Sequence, residues 1–342
     1  MTKTYRHLWD QVASFEALHT AYLKARRDNR YEYETLVFSA NLEDELVELL
    51  DELRSGRYRT GDYQRFFVHD PKTREVAALR FRDRVVQHAL VAAMEPIYEH
   101  RFIADSFACR SGRGIHAATD RFTEFLRRAH RKWDQTYVLK ADVCKYFASV
   151  DHGRLKAAIR RYIACPPTLA VIDEIVESWN AETGKGMPIG NLTSQLFANI
   201  YLHELDEFIK YERRWKFYLR YMDDFLLIGP NKAELQAMKF QIGEFLADRL
   251  CLSLNPKTDV YPTAQGIPFI GFRFWRTHRL LRKDRVQRTK RYLKSMARKY
   301  REGRIGAGQI QASIMAWIGH AKHANTYRLR EHIFGNVVFS KS

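Results

Sequence analysis

The chain has 342 residues, 46% of them hydrophobic, with 57 Lys and Arg against 40 Asp and Glu and a formal net charge of +17. That length can bury a substantial core in two or three lobes, and so large a positive excess favours polyanionic partners. No apolar run reaches the length of a bilayer crossing, and the opening MTKTYRHLWDQV lacks the apolar core of a secretory signal, so the expected setting is nucleic acid in the cytoplasm rather than a membrane.

The first sixty residues carry helical spacing. In LWDQVASFEALHTAYLKARRD and NLEDELVELLDELRSG apolar residues recur every three or four positions, and in the second stretch Asn41 is a suitable start and Gly56 a suitable stop. YRTGDYQRFFVHDPKTREVAALRF reads as two short β-prone runs split by a DPKT turn, in which Pro presets the backbone and Asp caps it. RDRVVQHALVAAMEPIYEHRF is helical again. QTYVLKADVCKYFASVDH runs from strand into turn, and NLTSQLFANIYLHELDEFIKYERR is a long helix. WKFYLRYMDDFLLIG gives two short strands hinged about Met222 and Asp223, NKAELQAMKFQIGEFLADRLCL a helix, and GIPFIGFRFW a hairpin. The tail from Arg276 onward reads as basic and helical. Strand, helix, strand, strand, helix suits an α+β sheet with helices on one face. Cys109, Cys144, Cys165 and Cys251 have no CxxC spacing and no neighbouring histidine, so they are expected to be reduced and mostly buried, without disulfide or zinc.

Asp223 and Asp224 sit side by side inside an apolar run, where mutual repulsion and burial both raise the cost of their charges. A divalent cation between them removes that cost, and a strand hairpin holds the carboxylates rigid while its tip stays wet. Partial hydration and hard oxygen ligands suit magnesium. Two such ions roughly 3.5–4 Å apart clamp the attacking and leaving oxygens of a phosphoryl transfer. That arrangement needs a further carboxylate, and Asp142 supplies a candidate at the end of the β-prone run Tyr137 to Ala141. Alone, an Asp-Asp pair is more often a solvated turn and Asp142 a helix cap. Together, at two strand ends in a strongly basic chain, they favour metal-dependent chemistry.

YMDD, from Tyr221 to Asp224 between apolar strands, resembles the signature of reverse transcriptases, and DVCKYF resembles the first catalytic block of the same palm. KTREV, RFRDRVVQHAL, FACRSGRGIHAA, GMPIGNLTSQLFANIYLHELD, LSLNPKT and PFIGF follow the family's order. The resemblance covers about Tyr58 to Trp275. It implies an α+β right-hand polymerase with an N-terminal helical extension over 1–60, interleaved fingers and palm over 61–275, and a basic helical thumb over 276–342. Retroviral, retron and intron-encoded enzymes usually begin the block after the first aspartate with Gln-Gly and end it with Ser-Pro. Here IGNLTSQ puts Ile189 and Gln195 at those positions, a pattern similar to reverse transcriptases of diversity-generating retroelements, as are FRDRVVQHAL and the short length without an endonuclease, integrase or RNase H segment after the thumb. Such enzymes copy a template-repeat RNA into cDNA with frequent errors opposite adenine, usually helped by a small basic accessory protein. Two alternatives stand beside this reading: another bacterial reverse transcriptase, intron-like or defence-associated, and a non-catalytic nucleic-acid-binding protein with a polymerase palm.

The resemblance also implies roles. Asp142 and Asp223 would ligate two Mg2+ ions, with the carbonyl of Val143 as a further ligand and Asp224 in support. Phe147 would be the ring that excludes a ribose 2′-hydroxyl, against the plain reading of a core aromatic. Lys72 and Arg74 would meet the triphosphate of the incoming dNTP, though REVAAL lacks the proline-rich form of many relatives. Arg80, Arg82 and Arg84 are expected to pair with Asp83 or other carboxylates. Gly190 would let backbone approach the nascent base pair. Ile189, unable to hydrogen-bond there, would weaken discrimination, and Gln195 closes the same block. Lys257 would protonate the departing pyrophosphate, with a solvated lysine as the plain alternative. Gly271 and Phe272 match the primer grip, which presents backbone to the primer end. The cations from Arg279 to Arg304, outnumbering Asp284 and Glu302, read as a thumb on the template–primer backbone. Ile314, Trp317, Ile318 and Ala321 would form its apolar face, and His320 and His323 are expected to be ordinary satisfied histidines.

Overall fold

The computed structural model describes residues 3–69, 73–180 and 182–340. Lys72 and most of the DPKT turn lie outside the described residues. The N-terminal stretch folds into α1 (Phe15–Ala25), α2 (Tyr33–Ala40) and α3 (Leu42–Arg54). Ser14 caps α1 by accepting from the Ala17 amide at 3.3 Å. Asn41 stands before α3 as expected, yet its side chain makes no capping bond. It is also the residue on which α2 ends, so it forms a corner between two helices. Tyr22, Phe38 and Phe81 join α1 and α2 to the next helix, with the Phe38 and Phe81 rings 5.2 Å apart.

β1 (Gln64–Val68) and β2 (Arg74–Ala78) pair antiparallel as a ribbon, with every β1 residue exposed. Two strands alone are marginal in water. This pair is anchored where the Ala77 amide donates to the Ile189 carbonyl at 2.9 Å and where Arg65 lies over the Trp179 ring. α4 (Phe81–Glu99) follows. Its arginines pair outward, Arg82 with Glu52 at 2.6 Å and Arg84 with Glu32 at 3.6 Å. Asp83 is taken instead by the Tyr58 hydroxyl at 2.8 Å, so the arginines tie this lobe to the N-terminal helices.

α5 (Ile115–Lys132) leads into β3 (Tyr137–Asp142), then α6 (Tyr146–Ser149), α7 (His152–Arg160), α8 (Pro166–Glu177) and α9 (Leu192–Glu207). β4 (Tyr218–Tyr221), β5 (Asp224–Gly229), α10 (Lys232–Leu250) and β6 (Asp259–Pro262) complete the palm, whose antiparallel sheet has the order β4-β5-β3-β6. Alternate strand residues face opposite sides. Leu139, Ala141, Phe225 and Leu227 pack into the larger core with α4, α9 and α10. Val138, Leu219, Leu226 and Ile228 pack on the other side against α5 and a second small sheet. The expectation of helices on one face is therefore corrected: the sheet is covered on both. Ala118, Phe122, Phe125, Leu126 and Ala129 of α5 supply the second cover.

That small sheet consists of β7 (Ile267–Phe269), β8 (Phe272–Phe274) and β9 (Arg279–Leu281). β9 corrects the reading of a helical tail from Arg276, because Arg279 to Leu281 pairs with β8 before any helix begins. α11 (Lys283–Arg301), α12 (Ala307–Ala321) and α13 (Tyr327–Phe334) then form the thumb, closed by Leu293, Met296, Ile310, Ala321 and Ile333. All four cysteines are free, but only Cys165 is buried. Cys109 and Cys251 occupy left-handed corners, where the chain turns at the surface. Among the described residues no helix is long and apolar enough to cross a membrane.

Candidate active site

The β4–β5 hairpin pairs Tyr221 with Asp224, leaving Met222 and Asp223 as its turn. Met222 has φ +57, a left-handed conformation that costs an L-residue roughly 1–2 kcal/mol. A fully buried network holds it there. Arg220 donates through Nη1 to the Met222 carbonyl at 3.0 Å. Its Nε and Nη2 reach Asp206 of α9 at 2.8 and 2.6 Å. The Tyr218 hydroxyl donates to the same carboxylate at 2.6 Å, and Asn199 accepts from Arg220 at 3.2 Å. A buried ion pair is tolerable only when its hydrogen bonds are this complete. Neither Arg220 nor Asp206 was identified from sequence. The available signal was a charge at the centre of an apolar strand, FYLRYM, and another in an apolar helix.

Asp142 ends β3 directly opposite Asp224 in register, so two of the three expected carboxylates are cross-strand neighbours and the third stands in the adjoining turn. The Val143 amide donates to the Asp223 carbonyl at 3.3 Å, closing the strand end onto the hairpin. Asn255 fixes Asp142 twice, its amide donating to the backbone carbonyl at 2.7 Å and its Nδ2 to the carboxylate at 3.0 Å. Burial, then the charge of Asp142 and less strongly that of Asp224, pushes the Asp223 carboxyl up to about 6, while Arg74 opposes the rise. Such mutual repulsion is the electrostatic condition that a dication relieves. Among the described residues no three His, Cys, Asp or Glu side chains already close on one point as a metal cage. An open carboxylate set fits Mg2+, which keeps several waters and shares its ligands with substrate phosphates.

The remaining candidates divide. Arg74, exposed at the start of β2, is close enough to act on Asp223. Phe147 is half-buried, edge-on to Tyr146 at 5.5 Å, and its carbonyl accepts from Met187 at 2.7 Å. Ile189 is tied by its carbonyl to β2. Gly190 has φ +122, and a Cβ there would lie 2.8 Å from Val76 Cγ1. Within the protein, the neighbour that demands a glycine there is β2. Gln195 lines a small cavity between α4 and α9 with His88 and Cys109. Lys257 is exposed in the turn whose Asn255 holds Asp142, its amide donating to Asn255 Oδ1 at 3.0 Å. Gly271 lies in the β7–β8 turn at φ +93, against the Arg285 guanidinium. Phe272 is fully buried, so only its backbone can face a primer. His320 departs from expectation: its ring lies tilted against those of Phe272 and His116, 4.9 and 5.6 Å away, and its buried Nε2 has no hydrogen-bond partner among the described residues.

An antiparallel palm with paired carboxylates at the strand ends, beside a fingers ribbon and a helical thumb, defines a right-hand nucleotide polymerase fold. Residues 69–274 match the family described as Reverse transcriptase (RNA-dependent DNA polymerase), more than half of the chain, and the chain belongs to that family. It is 29% identical over 289 residues to Protein YkfC of Escherichia coli (strain K12), covering 72% of this chain and 74% of that protein. It is 28% identical over 177 residues to Group II intron-encoded protein LtrA of Lactococcus lactis subsp. cremoris, covering 49% of this chain and 28% of LtrA. Among solved structures, apo telomerase from Candida tropicalis truncated from its C-terminal domain superposes with a TM-score of 0.47 at 15% identity, covering 65% of this chain and 55% of that one.

Proposed function

We propose that this protein is an RNA-directed DNA polymerase, extending a primer 3′ end with deoxynucleotides on an RNA template. The observation that carries the reading is the register of Asp142 against Asp224, beside an Asp223 carboxyl that burial and its carboxylate neighbours push up to about 6. Asp142, Asp223, Asp224 and the Val143 carbonyl would hold magnesium. Bound there, two Mg2+ ions lower the cost of the primer hydroxyl acting as nucleophile and neutralise charge on the triphosphate. Arg74 binds phosphate oxygens, the Phe147 ring excludes a 2′-hydroxyl, and Lys257 donates a proton to the leaving pyrophosphate. The 271–272 backbone steadies the primer. Primer extension on an RNA template is the test. Asp223→Ala should lose about 10³-fold or more in rate, as expected for several kcal/mol of charge stabilisation, while still binding template–primer. Extension at the wild-type rate would refute the assignment.

Within that activity, we read the chain as the error-prone enzyme of a diversity-generating retroelement, copying a template-repeat RNA with a small basic accessory protein. Ile189 supports this: its backbone is fixed to β2, and it offers an apolar side chain where a glutamine would offer a directional bond. The intron-encoded relative supports a second reading, an intron-like enzyme of higher fidelity. Sequencing cDNA copied from an adenine-rich RNA separates them. Adenine-directed errors that fall in Ile189→Gln support the first, and uniform, unchanged errors support the second.

A further inference from the structure

We infer that a basic cleft at the junction of palm and thumb is a second nucleic-acid site, which docks a folded part of the template RNA away from the segment being copied. Three separate elements wall it: the outer face of α5, the β8–β9 turn and the α12–α13 turn, around a volume of about 1060 Å³. Arg279 forms its floor and ties the three together. Its guanidinium reaches Asp120 at 2.7 Å and Thr123 at 3.2 Å on α5 and the His323 carbonyl on the thumb, and its own carbonyl accepts from Asn325 at 2.9 Å. The walls are therefore set in place before any ligand arrives.

The charge in the cleft is one-sided. Both acidic groups on its lining are engaged, Asp120 by Arg279 and Glu124 by Arg121 and Arg128 at 2.7 and 3.0 Å. Arg127, Arg131, Arg276 and Lys322 also line it, all four are exposed, and among the described residues none of them makes an ion pair. Arginine forks suit phosphate oxygens. Among the described residues Ala324 is the one aliphatic member of the lining, and none of them offers the large aromatic or aliphatic anchor that a protein partner needs. A polar, strongly positive concavity is the profile of a nucleic-acid interface.

Its position separates it from the reaction. His130 of α5 reaches Thr136 at 3.0 Å, just before β3 begins, so Arg131 lies at the end of β3 remote from Asp142, roughly 20 Å away along the strand. The β8–β9 turn is likewise at the opposite end of β8 from Gly271. Duplex at the primer terminus and RNA in this cleft can be held together.

The inference rests on the RNA-templated reading above, and its test keeps the two apart. Arg127→Ala/Arg131→Ala/Lys322→Ala touches none of the groups placed at the catalytic centre or on the primer. With a stable RNA hairpin carrying a single-stranded extension as probe, the triple variant should bind at least about tenfold more weakly near physiological salt, and its log–log salt slope should fall by about 2–3, one unit or slightly less per lost phosphate contact. The matching triple lysine variant should recover most of that affinity. Extension of a short preannealed primer on a minimal RNA template should stay within about twofold, the range in which no contact to the reacting substrate is lost. Unchanged hairpin affinity would overturn the inference. So would an equal loss for the minimal duplex, which would make the cleft part of the copying track, or for an acidic peptide, which would make it a protein-docking surface. Absence of extension by the wild-type protein would refute the polymerase reading and leave the binding result legible.

Discussion

At the scale of single residues, Asp223 and Arg220 make opposite predictions about charge. The Asp223 carboxyl, pushed up to about 6 from an ordinary 3.8, holds its proton more tightly in the folded chain than in the unfolded one. Its contribution to stability is therefore greatest below pH 4 and is lost as pH rises through 6, by roughly 3 kcal/mol in metal-free protein. Urea unfolding between pH 4 and 7 should show Asp223→Asn with a flatter profile than wild type across that window, and added Mg2+ should restore stability above pH 6. Matching profiles for the two proteins would contradict the shift. Arg220→Met leaves Asp206 buried without its partner and should destabilise by about 3–5 kcal/mol. Asp206→Leu in the same chain should recover most of that loss in thermal unfolding. Primer extension should stay low in the double variant, because the Met222 carbonyl still lacks its donor. The aspartates were legible in the sequence because paired charges in an apolar run are anomalous in themselves. Arg220 and Asp206 were not, since the anomaly resolves only when two elements meet across the core.

At the scale of elements, the segments with the clearest apolar periodicity were the ones read from the chain: α1, α3, α4, α9 and α10, the strands β1 to β5, the β7–β8 hairpin and the helical tail, whereas the short β6 was not. α5 was missed although its apolar positions repeat every three or four residues, because its numerous cations mask the stripe. β9 was hidden by the basic run that follows it, and its strand character comes from pairing with β8 rather than from its own composition. The fingers ribbon shows how an element can depend on one glycine. Gly190→Ala would force φ +122 on an L-residue and drive a Cβ into Val76, and should destabilise by about 1–3 kcal/mol. Adding Val76→Ala removes the clash but not the backbone strain, so thermal unfolding should show partial recovery only. Full recovery would mean that steric contact alone fixes the position.

At the scale of the whole molecule, the net charge of +17 is distributed unevenly. The first turn of α3 holds Glu43, Asp44 and Glu45, whereas α11 carries cations throughout and Asp284 as its single acid in the first turn. Duplex affinity should fall linearly with the logarithm of salt, and Arg291→Ala/Lys294→Ala/Arg298→Ala should lower the slope by about 2–3 without altering base preference. An unchanged slope, measured by titration at several salt concentrations, would remove α11 from the duplex interface. The basic balance of the chain was plain from composition. Its division between a thumb helix and a separate cleft was not, because α5 and the α12–α13 turn are some two hundred residues apart in sequence.

The main-chain bond from Ala77 to Ile189 couples two parts of the protein that chemistry would treat separately. Arg74 rides on the strand that carries Ala77, and Gly190 follows Ile189 immediately, so the ribbon and the loop are yoked. Whatever lifts one end lifts the other. On the proposed roles of Arg74 and Ile189, a change that loosens grip on an incoming nucleotide's phosphates should relax tolerance for its shape as well.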